Sequence, residues 1–303
     1  MNDRVKEVWG NQTAAWEIGR GLQWLEHPMV QQRINRKVSG DPLIDPYQHL
    51  CHILVARGTY LPVTRCFTLG CGEGELERGL TKYSFCLSHD AVDIADGAVA
   101  KARTTAQSQG LSHIKYSVAD VNRIELPPNT YDVVFGVSSI HHVEKLERVF
   151  SQVQNSLKAG GYFFLKEYVG PNRFQWSDRQ RVVVESLLQI LPERYVRRRT
   201  DGSLKRHYPK LTAEEVAAHD PSEAVRSSEI LKLLPNYFEI VARWDVGGTI
   251  LHLLMQDIAG NFETAVPADM RWLKFLFDAE DAAIESGDLP SDFAIVLARK
   301  ATR

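Results

Sequence analysis

The spacing of hydrophobic positions divides the chain into stretches of different periodicity. Residues 1–60 carry apolar positions at helical spacing. The clearest helix lies in DPYQHLCHILVARG, where Asp45 is placed to cap the N-terminus and Pro46 occupies the first helical position. From residue 64 onward, short apolar runs alternate with helical stretches, which indicates a change from helices alone to alternating strands and helices.

Short apolar runs in the first half of the chain predict five β-strands. They lie near residues 65–69, 88–93, 114–118, 131–137 and 161–167. Helices are predicted between them near 74–82, 96–109 and 145–157. A strand, a helix and a further strand at this spacing predict a parallel sheet with right-handed crossovers.

The alternation stops after residue 170 and resumes near residue 227. The stretch between them is rich in charged residues, proline and arginine and shows no strand–helix unit. A helix at 227–234, a strand at 237–244, helices across 250–285 and a strand at 293–299 follow it. We therefore expect one α/β domain made of a helical N-terminal extension at 1–60, a first half at 61–170, an insertion at 171–226 and a C-terminal completion at 227–303.

Three glycines stand at alternate positions directly after the first predicted strand, in FTLGCGEGEL at residues 67–76. Glycine lets backbone N–H groups come close to a ligand, although a tight turn alone would also use it. The even spacing of Gly70, Gly72 and Gly74 differs from the G-x-G-x-x-G dinucleotide fingerprint, which disfavours a dehydrogenase. Asp93 ends the second strand about 20 residues later, where an acid can accept both ribose hydroxyls.

Four segments in order carry a resemblance to a known family. FTLGCGEG, AVDI and VADV close the first three strands and LKAGG precedes the fifth, and in this arrangement the sequence resembles the class I S-adenosylmethionine-dependent methyltransferases. The resemblance covers residues 60–168 and, more loosely, 227–300. It implies a Rossmann-like sheet of seven strands, S-adenosylmethionine as the cofactor, and an enzyme that transfers the methyl group of that cofactor.

The resemblance also implies which residues contact the cofactor. The glycines would lie under it, Asp93 would hold the ribose and Asp120 would bond the adenine amino group. The full set is Gly70, Cys71, Gly72, Gly74, Asp93, Ile94, Asp120, Val121 and Ser138. One departure is Thr68, which stands where the family usually has an acid that orients the methionine amino group. Either Glu73 or Glu75 compensates for it, or the domain binds the cofactor without turnover.

The acceptor side is expected beyond the C-terminal ends of strands four and five. Methyl transfer requires alignment of acceptor, carbon and sulfur, and a hydroxyl acceptor also requires a base. His141, His142 and Glu167 are the candidate bases, and His141 ranks first because it lies nearest the strand end. A histidine at this point could instead order the loop. Tyr168 is a candidate acceptor contact or a structural residue facing the insertion.

The insertion carries a run of basic residues. The segment ERYVRRRTDGSLKRHYPK, residues 193–210, contains seven Arg or Lys. Either these side chains are solvated, or they bind a phosphate or carboxylate of the acceptor, a role for which arginine is suited. The candidate acceptor contacts are Arg173, Arg197, Arg198, Arg199 and His207.

Two further apolar regions have more than one interpretation. Trp9, Trp16 and Trp24 belong to helices that cover the cofactor or simply pack against the domain. The segment GGTILHLLMQDIAGNF at 247–262 is core, a pocket wall or the face of a homodimer.

Composition narrows the classes of function. The chain has 303 residues, a net charge of −2 and 44% hydrophobic residues, as in a soluble globular protein. The sequence has no apolar run of about 18 residues, so no membrane span is expected. The near-neutral charge argues against nucleic-acid binding. The charged N-terminus has no secretory h-region and the four cysteines have no CxxC spacing, which favours the cytoplasm. No His/Asp cluster in the sequence requires a metal.

These observations predict an S-adenosylmethionine-dependent methyltransferase that acts on a small molecule. O-methylation of a sugar or glycan intermediate is the favoured reaction, because EYVGPNRFQW and DPSEAVRSSEI are loosely similar to segments of methyltransferases of polysaccharide biosynthesis. The alternatives are a natural-product or aromatic acceptor, and a non-catalytic S-adenosylmethionine-binding module.

Overall fold

A mixed sheet of seven strands forms the centre of the computed structural model, which describes residues 4–6, 8 and 23–300. The strands are β1 Val63–Leu69, β2 Cys86–Asp93, β3 Ile114–Val118, β4 Tyr131–Val137, β5 Leu157–Tyr168, β6 Glu239–Gly247 and β7 Phe293–Arg299. Their order across the sheet is β3-β2-β1-β4-β5-β7-β6. Strands β1 to β5 pair in parallel, whereas β7 is antiparallel to both of its neighbours. The predicted α/β fold with a Rossmann-like sheet is confirmed.

Helices connect the strands and cover both faces of the sheet. They are α1 Pro28–Ser39, α2 Pro46–Ala56, α3 Glu75–Leu80, α4 Asp96–Ser108, α5 Leu146–Ser156, α6 Asp178–Ile190, α7 Glu193–Val196, α8 Ala213–His219, α9 Ile230–Leu233, α10 Leu251–Met255 and α11 Pro267–Glu285. Short 3-10 segments lie at Trp24–Glu26, Thr81–Tyr83, Val121–Arg123, Ile140–His142, Asn172–Phe174, Ser227–Glu229, Leu234–Asn236 and Ala259–Asn261. Buried residues of α1, α2, α6, α10 and α11 share one hydrophobic core, and those of α5 and α9 belong to a second one.

The central strands are buried on both faces, and their sequences reflect this. In β4, Val133, Val134 and Phe135 are all buried. Val133 and Phe135 belong to the first core and Val134 to the second, because successive side chains of a strand point to opposite faces. A continuous apolar run of this kind is typical of a parallel strand covered by helices on both sides.

The insertion contributes to the first core, which the sequence analysis did not predict. Helix α6 begins after Ser177, whose side chain accepts a hydrogen bond from the backbone N–H of Gln180. Val184, Leu187 and Leu188 of this helix are buried in the first core. Their i, i+3, i+4 spacing is helical, but the charged residues around them concealed the pattern.

The N-terminal extension packs against the domain where the structure describes it. Trp24 is buried, with its ring centroid 5.0 Å from that of Phe293. The guanidinium of Arg4 donates a hydrogen bond to the carbonyl of Ala218 in the insertion. Trp9 and Trp16, which also entered the lid prediction, lie outside the described residues.

The apolar segment 247–262 is core packing. Leu251, Leu253 and Leu254 are all 0% exposed, so they are not available to a partner chain. Of the three interpretations of this segment, core is therefore the one that the structure supports. Among the residues with described structure, no helix combines the length and the apolar character that crossing a bilayer requires.

Candidate active site

A cavity of about 800 Å³ lies at the C-terminal ends of the parallel strands. Ligands of open α/β sheets bind at this edge, where the strand order reverses, and here the reversal falls between β1 and β4. Of the predicted cofactor contacts, the cavity is lined by Gly70, Cys71, Gly72, Asp93, Ile94, Asp120, Val121 and Ser138. The structure therefore brings together all of that predicted set except Gly74.

The glycines after β1 make room for different neighbours. Gly70 has a φ of +69°, and a Cβ there would lie 2.4 Å from the Cβ of Ser139. A Cβ on Gly74 would lie 2.5 Å from the hydroxyl of Tyr116. A Cβ on Gly72 would meet no protein atom within 4 Å, so it would occupy space at the cavity wall instead. Gly72 is thus the glycine that leaves room for a ligand, whereas Gly70 and Gly74 leave room for protein side chains.

The two aspartates predicted to bind the nucleoside are held in place by backbone N–H groups. Asp93 accepts from the N–H of Gly72 at 2.8 Å and from that of Ala95 at 2.9 Å, one on each carboxylate oxygen. Each oxygen keeps a further lone pair, so the carboxylate can also accept two ribose hydroxyls. Asp120 accepts from the N–H of Asn122 at 2.9 Å and faces the same cavity. These acids, with the space at Gly72, fit an adenosine ligand.

Thr68, which replaces the usual acid of the family, lines the cavity and belongs to a buried polar group in its wall. Its hydroxyl lies 2.9 Å from Nε2 of His89, and the residue is 1% exposed. Glu77 on α3 is buried with both carboxylate oxygens unpartnered within the described chain. Burial raises the pKa of Glu77 above its ordinary value. Glu77 was not among the predicted replacements for the missing acid.

The two acids that were considered as replacements differ in their surroundings. Glu73 lines the cavity, but its carboxylate pairs with the ammonium of Lys101 at 2.8 Å. Glu75 lines the cavity at the start of α3. An acid in the first turn of a helix is favoured by the helix dipole, which gives Glu75 a structural reason to be there.

His141 is held between two carboxylates. Its Nδ1 donates to Glu167 at 2.7 Å, and its Nε2 lies 3.6 Å from a carboxylate oxygen of Glu223. Burial alone would lower the pKa of His141, but the charge of Glu167 and its hydrogen bond outweigh that and raise the pKa. A raised pKa favours the protonated imidazole, and His141 does not line the cavity. The positions of the two side chains favour His142 over His141 as the base, whereas the prediction ranked His141 first.

Glu167 orders the loop after β4. One carboxylate oxygen accepts the backbone N–H groups of Ser139 and Ile140, each at 2.7 Å, and the other accepts from His141. Glu167 is 1% exposed and does not line the cavity. Its carboxylate is engaged in holding the loop, so the prediction that it acts as a base on the acceptor is corrected.

His142 lines the cavity, and its pKa is shifted in the opposite direction from that of His141. Its Nδ1 lies 3.1 Å from the hydroxyl of Ser222, which in turn donates to Asp220 at 2.7 Å. Because Ser222 gives its proton to Asp220, it accepts from Nδ1, and Nε2 is the basic nitrogen of His142. Burial and the charge of His141 hold the pKa of His142 well below its ordinary value. His142 is therefore neutral at pH 7 and able to accept a proton.

Two further predicted acceptor contacts hold the insertion in place. The hydroxyl of Tyr168 donates to the carbonyl of Pro171 at 3.0 Å, and the ring is buried. The guanidinium of Arg173 donates to the carbonyl of Glu223 at 3.0 Å. Neither side chain lines the cavity. Their positions correct the prediction that they contact the acceptor directly.

The arginine cluster lies away from the cavity, contrary to the prediction. Arg197 pairs with Glu193, and Arg198 lies 3.1 Å from a carboxylate oxygen of Asp257. The residues that this prediction placed at the acceptor but that do not line the cavity are Arg197, Arg198, Arg199 and His207. The guanidinium groups satisfy acids and carbonyls of neighbouring segments, so an anion clamp at this place is not supported.

Several cavity residues were missed in the sequence. Asp45 and Ser222 lie far along the chain from the glycine loop, and no spacing rule connects them to it. Lys166 carried a signal that could have been found, because it is a charged residue inside the apolar run FFLKEY of β5. Lysine is rare in a strand that is covered on both faces, so its presence there indicates a functional role.

The folding of the insertion onto the loop after β4 also brings together three potential metal ligands. His141, His142 and Glu223 place donor atoms within 4.8 Å of one another. The backbone N–H of Val225 donates to the carbonyl of His141 at 3.1 Å and holds the two segments together. These residues are distant in sequence, so no metal was predicted from ligand spacing.

Known proteins share the part of the chain that contributes the glycine loop, Asp93 and Asp120 to this cavity. Residues 67–165 match the protein family described as methyltransferase domain. The chain is similar to the sterol 24-C-methyltransferase of Candida albicans, with 24% identity over 141 residues, which are 45% of this chain and 37% of that protein. It is also similar to the (+)-O-methylkolavelool synthase of Herpetosiphon aurantiacus, with 25% identity over 174 residues, 56% of this chain and 54% of that protein.

The similarity covers part of each relative. The chain spans about a third of the length of the sterol methyltransferases that it matches. Among solved structures, phosphoethanolamine N-methyltransferase 2 of Haemonchus contortus, in complex with S-adenosylmethionine, has a TM-score of 0.52 at 15% identity. That likeness covers 91% of this chain and 57% of the other, and at such low identity it shows a shared fold.

The family match and the cavity coincide. The matched residues contain Gly70, Gly72, Asp93 and Asp120, which meet at the C-terminal edge of the sheet. The strand order, with an antiparallel β7 between β5 and β6, completes the agreement with the predicted fold. Residues 67–165 thus form a methyltransferase domain, and the fold and the cavity agree with the resemblance of the chain to the class I S-adenosylmethionine-dependent methyltransferases, whose cofactor is S-adenosylmethionine.

Proposed function

We propose that this protein transfers the methyl group of S-adenosylmethionine to a hydroxyl of a polar small molecule, with a sugar or glycan intermediate as the favoured acceptor. The observation that carries the proposal is His142, a neutral imidazole in the wall of the cavity that also contains Gly72 and Asp93. A hydroxyl acceptor needs such a base, because an alcohol stays protonated at neutral pH.

The residues around His142 support a role for each group in the proposed proton transfer. Bound S-adenosylmethionine supplies a methyl group that is already activated, so the protein has to align the acceptor oxygen, exclude water and take the proton. Nε2 of His142 takes the proton, because Nδ1 donates to Ser222. Asp220 lies 3.8 Å from Nδ1 and stabilises the imidazolium that forms. Glu167 holds the loop on which His142 lies.

Polar groups of the wall support a hydroxylated acceptor. Ser139 and Ser222 adjoin His142, and Asn122 lines the same cavity. Hydroxyl and amide groups can donate to and accept from several hydroxyls of one ligand. The names of the relatives refer to C-, O- and N-methylation, so they do not select the acceptor atom. The proposal of oxygen as the acceptor atom depends on His142 instead.

A turnover screen tests the proposal. The full chain is incubated with S-adenosylmethionine and with nucleotide sugars, glycans, phenols, a sterol or phosphoethanolamine, and S-adenosylhomocysteine release is measured. We expect release with a polar hydroxylated acceptor and a loss of about 10²-fold or more in His142→Gln. His207→Gln is the matched control, because His207 is exposed and outside the cavity wall, and it should keep full turnover.

Two results would contradict the proposal in different ways. Full turnover by His142→Gln would exclude this histidine as the base. Binding of S-adenosylhomocysteine without release from any acceptor would favour the alternative of a cofactor-binding module without turnover. Thr68, in place of the usual acid, is the residue that motivates this alternative.

A further inference from the structure

Lys166 is a charged residue in the interior of the sheet, and its side chain lines the cavity. It lies on β5, where it pairs with Val137 of β4. Its neighbours Leu165 and Glu167 are each 1% exposed. Within the part of the chain that the structure describes, the ammonium group of Lys166 makes no hydrogen bond and no ion pair. One acid of the cavity wall acts on it through its charge alone.

The acid whose charge acts on Lys166 is committed elsewhere. That acid is Asp45, at the start of α2. One of its carboxylate oxygens accepts the backbone N–H groups of Tyr47 and Gln48, each at 2.9 Å. The other oxygen accepts from Lys82 at 3.0 Å and from a tyrosine hydroxyl. Asp45 is therefore already satisfied by a helix N-terminus and by a different lysine.

An ammonium group in this position is unfavourable while the cavity holds no anion. Burial lowers the pKa of Lys166, because the charged form loses hydration and the charge of Asp45 only partly offsets that loss. Buried charges in proteins are otherwise paired or hydrogen-bonded. A lysine that lines a cavity without such a partner acquires one when a ligand supplies the negative charge.

We propose that Lys166 is the binding point for an anionic group, a carboxylate or a phosphate, of a small molecule that occupies this cavity. The inference rests on the proposed function, since it concerns the ligands of the same site. The proposed anion site is therefore Lys166 of the sheet, in place of the arginine cluster of the insertion that the sequence suggested.

Two molecules could supply the anion, and the strand order separates them. The residues for the nucleoside, Gly70, Asp93 and Asp120, lie at the C-terminal ends of β1, β2 and β3. Lys166 lies on β5, on the other side of β4, so its backbone is about 10 Å from β1 at the usual spacing of strands. This places Lys166 towards the acceptor side. The carboxylate of the methionine tail of the cofactor has the same chemistry, and the experiment distinguishes the two.

The first arm measures cofactor affinity by calorimetry. S-adenosylhomocysteine and 5′-methylthioadenosine, which has the same nucleoside but no carboxylate, are titrated into the full chain and into Lys166→Met. Lys158→Met is the control, because Lys158 is also on β5 but pairs with Asp132 at 2.8 Å outside the cavity. If the cofactor carboxylate binds Lys166, S-adenosylhomocysteine affinity falls about tenfold or more in Lys166→Met. The affinity for 5′-methylthioadenosine then stays unchanged.

The second arm measures an anion on the acceptor side. Thermal unfolding is followed with S-adenosylhomocysteine at saturation, in sodium phosphate or sodium acetate and in sodium chloride of equal ionic strength. A ligand that binds the folded protein raises its Tm. We expect phosphate or acetate to raise the Tm of the wild type above its value in chloride, and Lys166→Met to abolish this rise.

Either result in Lys166→Met supports the proposal. A loss of S-adenosylhomocysteine affinity assigns the anion to the cofactor, and a loss of the rise in Tm assigns it to the acceptor. Wild-type affinity and a wild-type anion effect in Lys166→Met would together overturn it. Without ligand, Lys166→Met should have an equal or higher Tm, because an unpaired buried charge is removed. Lys166→Gln is a second uncharged variant for the same measurements. Neither arm measures turnover, so a failure of methyl transfer alone would reject the proposed function and leave the role of Lys166 intact.

Discussion

The carboxylate of Glu167 accepts a hydrogen bond of 2.7 Å from Nδ1 of His141. The same group accepts the backbone N–H groups of Ser139 and Ile140. A buried acid at the end of β5 thereby holds the loop after β4, on which the next residue, His142, lines the cavity. Of the two adjacent histidines, His141 supports the loop and His142 lines the cavity.

Replacing Glu167 by Gln should weaken this support. An amide can accept the backbone N–H groups through its oxygen, but its NH₂ group then faces the N–H of His141. We expect the free energy of unfolding to fall by about 1–3 kcal/mol, with reduced turnover because His142 is displaced. Urea unfolding measures the first effect and S-adenosylhomocysteine release the second. Glu214→Gln, an exposed acid of α8, is the control, and equal stability of both variants would contradict the role of Glu167.

The pH dependence of turnover should report His142. A base has to be unprotonated, so kcat/KM rises as the pH rises through the pKa of His142. Burial and the charge of His141 hold that pKa well below its ordinary value of about 6.5. The rise should therefore lie on the acidic side of pH 6.5, with little change between pH 7 and 8. An activity limb that is centred above pH 6.5, or that persists in His142→Gln, would point to another base.

Two glycines of the loop after β1 should respond differently to alanine. Gly70→Ala places a Cβ against Ser139, in a backbone conformation that alanine rarely adopts, and should destabilise the fold by about 1–3 kcal/mol or more. Gly72→Ala carries the strain of a positive φ but meets no protein atom. It should therefore reduce cofactor affinity more than stability. Thermal unfolding and calorimetry on both variants test this, and the opposite order would contradict the distinction.

Arg198 should matter for stability and not for the acceptor. Its guanidinium lies 3.1 Å from Asp257 and is partly buried, so Arg198→Ala loses an ion pair and some packing. We expect a loss of about 1 kcal/mol or less in the free energy of unfolding, as for other partly exposed pairs. The KM for the acceptor should stay the same. A clear increase of that KM without loss of stability would restore the anion clamp that the sequence suggested.

The sheet was predictable because its signals are local. The apolar runs of the strands and the glycines after β1 lie within a few residues of each other. The order of the four motifs then indicated the family and its sheet of seven strands. Asp93 and Asp120 could be placed at the cavity for the same reason, since Asp93 is the last residue of β2 and Asp120 comes two residues after β3. Residues at the ends of parallel strands meet at one edge, so their approximate positions follow from topology.

The acceptor side was less predictable because it forms by long-range folding. Ser222 meets His142 across 80 positions of sequence, and no periodic pattern announces such a contact. The arginines formed a conspicuous run, but Arg198 already has a partner in Asp257, which only the tertiary structure reveals. Lys166 was overlooked because the strand pattern around it is apolar. Charge in a sequence indicates a binding role only where the fold leaves that charge unpaired.

The most direct test of the account is the affinity of S-adenosylhomocysteine for the full chain and for Asp93→Ala, measured by calorimetry. We expect one site per chain and an affinity that is about tenfold or more lower in the variant. Two ribose hydroxyls lose their acceptor there, and each such hydrogen bond contributes about 1 kcal/mol. Asp96→Ala, an exposed acid nearby, should bind like the wild type. Unchanged affinity in Asp93→Ala would show that the cofactor is not held at this cavity and would contradict the assignment of the site.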